Sequence, residues 1–170
     1  HRGLTVRGSS LTQCGFDDCQ YDGLTLEDCT IKDLSLAGAK ISGLTIRACP
    51  LVHGLRAVRS KCDRLVIEDC PAFGGLFLHE SVLTDMTIRK STLANLNLSK
   101  STLAGRSVWE GSLVHGANLS SLTCKGLTMK GMQFAEYLML NDAIFEDTRI
   151  QEAQYARGLD AIFPVRIGND

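Results

Sequence analysis

Apolar side chains recur at every fifth position along the first third of the chain. Cut from Leu4, the sequence reads LTVRG, SSLTQ, CGFDD, CQYDG, LTLED, CTIKD, LSLAG, AKISG, LTIRA and CPLVH. The third residue of each unit is a medium or large apolar group: Val6, Leu11, Phe16, Tyr21, Leu26, Ile31, Leu36, Ile41, Ile46, Leu51. The first is small or a second aliphatic: Leu4, Ser9, Cys14, Cys19, Leu24, Cys29, Leu34, Ala39, Leu44, Cys49. A period of five suits neither an α-helix, at about 3.6, nor a flat strand, at about 2. It suits a chain that turns a right angle every unit, with the first and third residues inward and the others outward.

The register slips through Gly54 to Arg64 and returns as LVIED at Leu65. From Leu76 it runs as LFLHE, SVLTD, MTIRK, STLAN, LNLSK, STLAG, RSVWE and GSLVH. Read this way, Gly116 inserts one residue before ANLSS, LTCKG, LTMKG and MQFAE. A slip over Tyr137 to Asp142 precedes AIFED, TRIQE and AQYAR.

This pattern resembles the pentapeptide-repeat family, whose units read roughly A(D/N)LXX, and ANLSS at Ala117 comes nearest to that form. The resemblance covers about residues 4 to 157. It implies an all-β, right-handed quadrilateral β-helix with four units per coil, and six to seven coils about 30 Å long at the ordinary strand spacing of ~4.8 Å. The expected organisation is a β-helix over 1–157, with an irregular insertion over 54–64, and a C-terminal cap over 158–170. A short helix from Gln154 to Phe163, ending before Pro164, is expected to form that cap; unfolded from the end, its apolar face would drive homodimerisation.

Stacking at one coil supports the period independently. Leu4, Leu24 and Leu44 form one column, Ser9, Cys29 and Cys49 another; Leu76 falls under Leu96, and Ser81 under Ser101. Family members often place a small residue at every first position, whereas this chain places Leu or Met at about every second unit.

Composition narrows the chemistry. Lys and Arg total 18 against 19 acids, a net charge of −1 that gives no global field for nucleic acid or an anionic membrane. No apolar run approaches the ~20 residues of a membrane-spanning helix. Seven cysteines, none in a CxxC pair or a zinc-like cluster, point to a reducing cytosol rather than a disulfide framework or metal site. Cys29 and Cys49 lie within disulfide reach but read as core fillers, as do Cys14, Cys19 and Cys124; Cys62 is expected to be an exposed thiol. His1, His53, His79 and His115 read as isolated surface residues. The chain begins at His1 in mid-pattern, which is expected of a piece of a longer protein.

No phosphate loop, nucleophile elbow or HExxH is present, and a convex rod lacks the concave pocket that catalysis uses. No catalytic residue, metal or cofactor is therefore expected. Attention falls on outward positions. All six acids of residues 1–50 lie between Asp17 and Asp33, residues 51–130 hold ten bases and six acids, and 131–170 three bases and seven acids. Trp109, following Val108, is expected to face outward between Arg89 and Lys130 as a partner-binding anchor, with Phe77, Val82 and Val114 as outward apolar neighbours. Arg106 falls at an inward position, where an unpaired guanidinium is prohibitive, so its unit is expected to bulge and turn it out. Arg56, Arg59, Lys61 and Arg64 are expected on a basic protruding loop.

These features point to a non-enzymatic scaffold for a protein partner, a domain of a larger bacterial protein such as a secreted effector, acting in the cytoplasm or in a target cell. The resemblance offers two alternatives: a DNA mimic that binds DNA gyrase, which the basic middle of the chain contradicts, and the substrate-recruiting domain of an effector ubiquitin ligase.

Overall fold

The computed structural model describes the backbone of residues 2–155 and 166–168, and the side chains of 3–155. The chain is a parallel β-solenoid of four-sided coils, about seven turns long. Each side contributes one inward column of central residues, named here walls I to IV in chain order. Wall I stacks Val6, Leu26, Ile46, Ile67, Ile88, Trp109, Met129 and Ile150. Wall II stacks Leu11, Ile31, Val52, Phe73, Leu93, Val114, Phe134 and Tyr155. Wall III holds Phe16, Leu36, Ala57, Leu78, Leu98, Leu119 and Leu140, and wall IV holds Tyr21, Ile41, Cys62, Leu83, Leu103, Cys124 and Phe145.

The five-residue unit follows from backbone chemistry. Extended residues alternate in, out, in, out, and the fifth turns the corner in a left-handed conformation. Gly8, Gly23, Gly38, Gly54 and Gly126 take that position, as do Asp18, Asp28, Asp33, Asp69, Asp85 and Asp147, with φ between 53 and 85 except for Asp147 at 49. Gly meets it without steric cost, and Asp tolerates it better than most. The side chains also work across coils: Asp17 Oδ1 accepts the Ala37 N–H at 2.9 Å, and Asp85 Oδ1 accepts the Arg106 N–H at 2.7 Å. Part of the acidic band is thus committed to holding turns.

Walls IV and I share one sheet, and strands such as Gln20–Glu27 run continuously around their common corner. Walls II and III share the other through strands such as Thr30–Ser35. The I–II and III–IV corners, diagonally opposite, are where the strands break.

First positions are large on two walls and small on the other two. Leu24, Leu44, Leu65, Met86 and Leu127 fill wall I; Leu34, Leu55, Leu76, Leu96 and Leu138 fill wall III. Walls II and IV carry Cys29, Cys49, Cys70, Ser91 and Ser112, and Ala39, Ser60, Ser81 and Ser101. The hydroxyls bind the coil before: Ser81 Oγ donates to Ala57 O at 2.8 Å and accepts the Ser60 N–H at 3.1 Å. Ser101 repeats this with Leu78 O and the Ser81 N–H. Cys29, Cys49 and Cys70 donate their thiols to Val6, Leu26 and Ile46 carbonyls at 3.5, 3.6 and 3.7 Å. An orphaned buried backbone group costs about 1–3 kcal/mol, so a small donor here stabilises what an alanine would leave bare.

The expected register fails in three places, each at one extra residue. Residues 54–64 form no loop: strands Leu51–Arg56 and Lys61–Glu68 pair in unbroken register with the coil before. The extra residue is Pro50, echoed one coil later by Pro71, where a missing N–H is tolerated in a bulge. Val52 is therefore core, and Leu51 lies outside at 37% exposure. Cys62, expected as an exposed thiol, is buried in wall IV, and burial with the charge of Asp63 pushes its thiol up to about 12. Cys19, conversely, is exposed and Cys14 only partly covered.

In the middle of the chain the insertion is Arg106, not Gly116: Ile88 pairs with Trp109, and Asn95 with Gly116. Trp109 and Val114 are consequently inward and fully buried, while Val108 and Leu113 are not. Room for the indole comes from its own coil, where Ser107 and Ala117 replace the large residues that stand above and below them, Met86 and Leu127, Leu96 and Leu138. Its Nε1 has no hydrogen-bond partner among the described residues. The third insertion lies at 135–136, so the slip expected over Tyr137 to Asp142 is absent and Leu138 and Leu140 continue the core.

The helix expected from Gln154 begins instead as strand Gln154–Tyr155, which pairs with Gln133–Phe134. Arg166–Gly168 pairs with Ile144–Glu146. The rest of the expected cap, residues 156–165 and 169–170, and its proposed role in homodimerisation lie outside the described residues.

Candidate partner-binding surface

The residues singled out from the sequence divide among four places. Trp109 leaves the surface altogether: at 0% exposure between Ile88 and Met129, it cannot anchor a partner. Arg89 and Lys130 do not flank it; they share an outward column with Glu110 beside the I–II corner. Arg64 and Arg106 lie near the IV–I corner. Arg64 faces Asp63 at 3.9 Å and Arg106 is exposed, turned out by its bulge as expected. Arg56, Arg59, Lys61 and Phe77 remain, on wall III and the corner it shares with wall IV: Arg59 and Lys61 stand at the III–IV corner, while Arg56 and Phe77 share the outward column of wall III, with the Phe77 ring folded against Gly75 on the II–III side.

The I–II column is an ion-pair ladder. Arg7, Glu27, Arg47, Glu68, Arg89, Glu110 and Lys130 stack in strict alternation of sign. Arg7 meets Glu27 at 2.6 Å, Arg47 meets Glu68 at 3.0 Å, and Arg89 meets Glu110 at 3.4 Å. Stacking makes alternation matter, because like charges one coil apart, ~4.8 Å, repel by about 1 kcal/mol even in water. Each of its three glutamates is paired with an arginine.

The III–IV corner is built differently. Lys40 stacks directly on Lys61 in the outward column of wall IV, and the next member of that column is Val82, 47% exposed. In the adjoining column of wall III, Arg56 is followed by half-buried Phe77, with the guanidinium 5.5 Å from the ring centroid. Arg59 takes the left-handed turn between the two columns, with φ 54. None of Lys40, Arg59 and Lys61 forms an ion pair among the described residues. Along that corner the turn residues run Asp18, Gly38, Arg59, Glu80 and Lys100, with the Asp18 carboxylate against Gly38, so carboxylates stand on either side of Arg59.

Lys40 was not legible as part of this patch. The spacing of 21 to Lys61 emerges only once Pro50 is recognised as the extra residue.

Five-residue units, four inward columns and continuous parallel stacking define a four-sided β-solenoid of the pentapeptide-repeat type. Among solved structures the chain is similar to HetL, a pentapeptide repeat protein involved in heterocyst differentiation regulation from the cyanobacterium Nostoc sp.. The identity is 14% over 89% of this chain and 83% of that one, with a TM-score of 0.26. No protein-family model matches the sequence, and no curated protein does.

Proposed function

We propose that the chain is a rigid, non-enzymatic scaffold that binds a protein partner at the III–IV corner. The observation that carries this reading is the set of exposed Arg59, Lys40 and Lys61 without ion pairs, beside Val82, on a backbone fixed by stacking above and below. Side chains held rigidly cost little ordering entropy on association. The interior of the solenoid is filled by side chains, leaving its convex outside as the working surface, as in other repeat proteins.

The reading applies equally to a free-standing protein and to a domain of a larger bacterial one, including a secreted effector or the recruiting part of a ubiquitin ligase. The seven unpaired thiols are in keeping with a reducing compartment such as the cytoplasm. Against DNA mimicry stand the alternating ladder and the cationic corner, because a mimic needs sustained negative charge.

Affinity capture tests the scaffold reading. Wild type and an Arg59→Ala, Val82→Ala double variant are used as baits in parallel. A protein retained by the first and lost from the second is the expected result; identical recovery on both baits would overturn the assignment of this corner.

A further inference from the structure

We infer that the occupant of the III–IV corner is an extended acidic segment of the partner protein, with an apolar side chain immediately after its carboxylates along the rod axis. This rests on the scaffold reading and adds the chemistry of what is bound.

The argument starts from an internal control. At the I–II corner the chain places opposite signs on successive coils for seven coils in succession, so stacked charges satisfy one another. At the III–IV corner the same stacking holds Lys40 against Lys61, with Arg59 on the turn beside them. The lysine stack itself holds no carboxylate: Asp63 turns to Arg64 at 3.9 Å, Asp18 lies against Gly38 from the coil before, and Glu80 lies one coil further along, between Arg59 and Lys100. A scaffold rigid enough to hold like charges together presents a preformed site for an anionic group, and the gain on binding is realised without reorganisation.

The apolar members set direction and class. The lysine column runs from cation to apolar, Lys40 and Lys61 to Val82. The cationic stretch spans only about 10 Å of the axis at the usual strand spacing before it gives way to apolar surface. A nucleic-acid backbone would need continued positive charge beyond that point, and Phe77, already faced by Arg56, offers no free ring to stack a base. An acidic peptide that turns apolar matches this column.

The test uses the full chain and a fluorescein-labelled synthetic peptide in which a run of glutamates precedes a pair of leucines, followed by anisotropy at low and moderate salt. Three variants are compared: Lys40→Glu with Lys61→Glu at the patch, Val82→Glu at its apolar end, and Lys32→Glu with Lys90→Glu as a control of equal charge change elsewhere. Wild type and control are expected to bind alike, with salt-sensitive affinity, while the patch double variant binds at least about tenfold more weakly. Val82→Glu, which keeps both lysines, is expected to weaken binding as well and serves if the double variant does not fold. Equal loss in the control, no loss at the patch, no binding to wild type, or displacement by oligothymidylate at a lower concentration than by unlabelled peptide would each overturn the acidic-peptide inference. If affinity capture still depends on Arg59 and Val82 in that event, the scaffold reading stands and only the chemistry of the occupant is wrong; if capture is also indifferent, both fall.

Discussion

The two strand-breaking corners of the solenoid treat the same physical problem in opposite ways. Stacking multiplies every outward residue into a column, so the sign of each charge is set against its neighbours one coil away. Beside the I–II corner the column from Arg7 to Lys130 alternates and is closed by ion pairs. At the III–IV corner Lys40 and Lys61 stack with the same sign. One corner offsets its stacked charges with opposite ones, and the other keeps two like charges one coil apart.

That contrast can be broken from the inside. Trp109 forms the inner side of wall I, directly behind the ladder, and Trp109→Ala is expected to cost about 3–5 kcal/mol through lost burial and the cavity left behind. Chemical denaturation measures it, and a loss below about 1 kcal/mol would contradict the buried placement. Beneath the other corner, Ser81→Ala strips partners from the Ala57 carbonyl and the Ser60 N–H together, for an expected loss of about 1–3 kcal/mol. Urea midpoints for Ser81→Ala and Ser81→Cys separate donor from volume, since the cysteine, which elsewhere donates to the same kind of carbonyl, should recover part of the loss.

The smallest effects sharpen the comparison most, because they carry opposite signs. Glu68→Lys puts three cations in a row, Arg47, Lys and Arg89, and is expected to destabilise by about 0.5–1 kcal/mol, less at high salt. Lys61→Glu relieves the stack on Lys40 and is expected to be neutral or stabilising by a few tenths of a kcal/mol. Thermal melts of the two variants at low and high salt check this; a loss from Lys61→Glu equal to that from Glu68→Lys would mean the two corners do not differ.

The five-residue period made the β-helix legible before any coordinates, since two inward positions per unit repeat over most of the chain. Register was legible only up to the first extra residue. One insertion exchanges inward for outward positions, as a one-residue slip does in any strand. At Leu51 and Val52, Val108 and Trp109, and Leu113 and Val114, both candidates are apolar, so hydrophobicity does not choose between them. Trp109 misled for a further reason. An indole exceeds the usual size at its position, and the space for it is made by Ser107 and Ala117 on other parts of the same coil. The surface was half legible: Arg56, Arg59 and Lys61 stood out as a loop, and Phe77 and Val82 as neighbours of Trp109, because without the extra residue at Pro50 their columns could not be aligned.

The backbone bonding described above also decides how the molecule meets force. Nearly all of its strand pairing joins one coil to the next, so a pull along the rod loads those bonds one layer at a time and unpeels the end coil before touching the middle. A pull across the rod, between two residues of the same coil, meets covalent chain first.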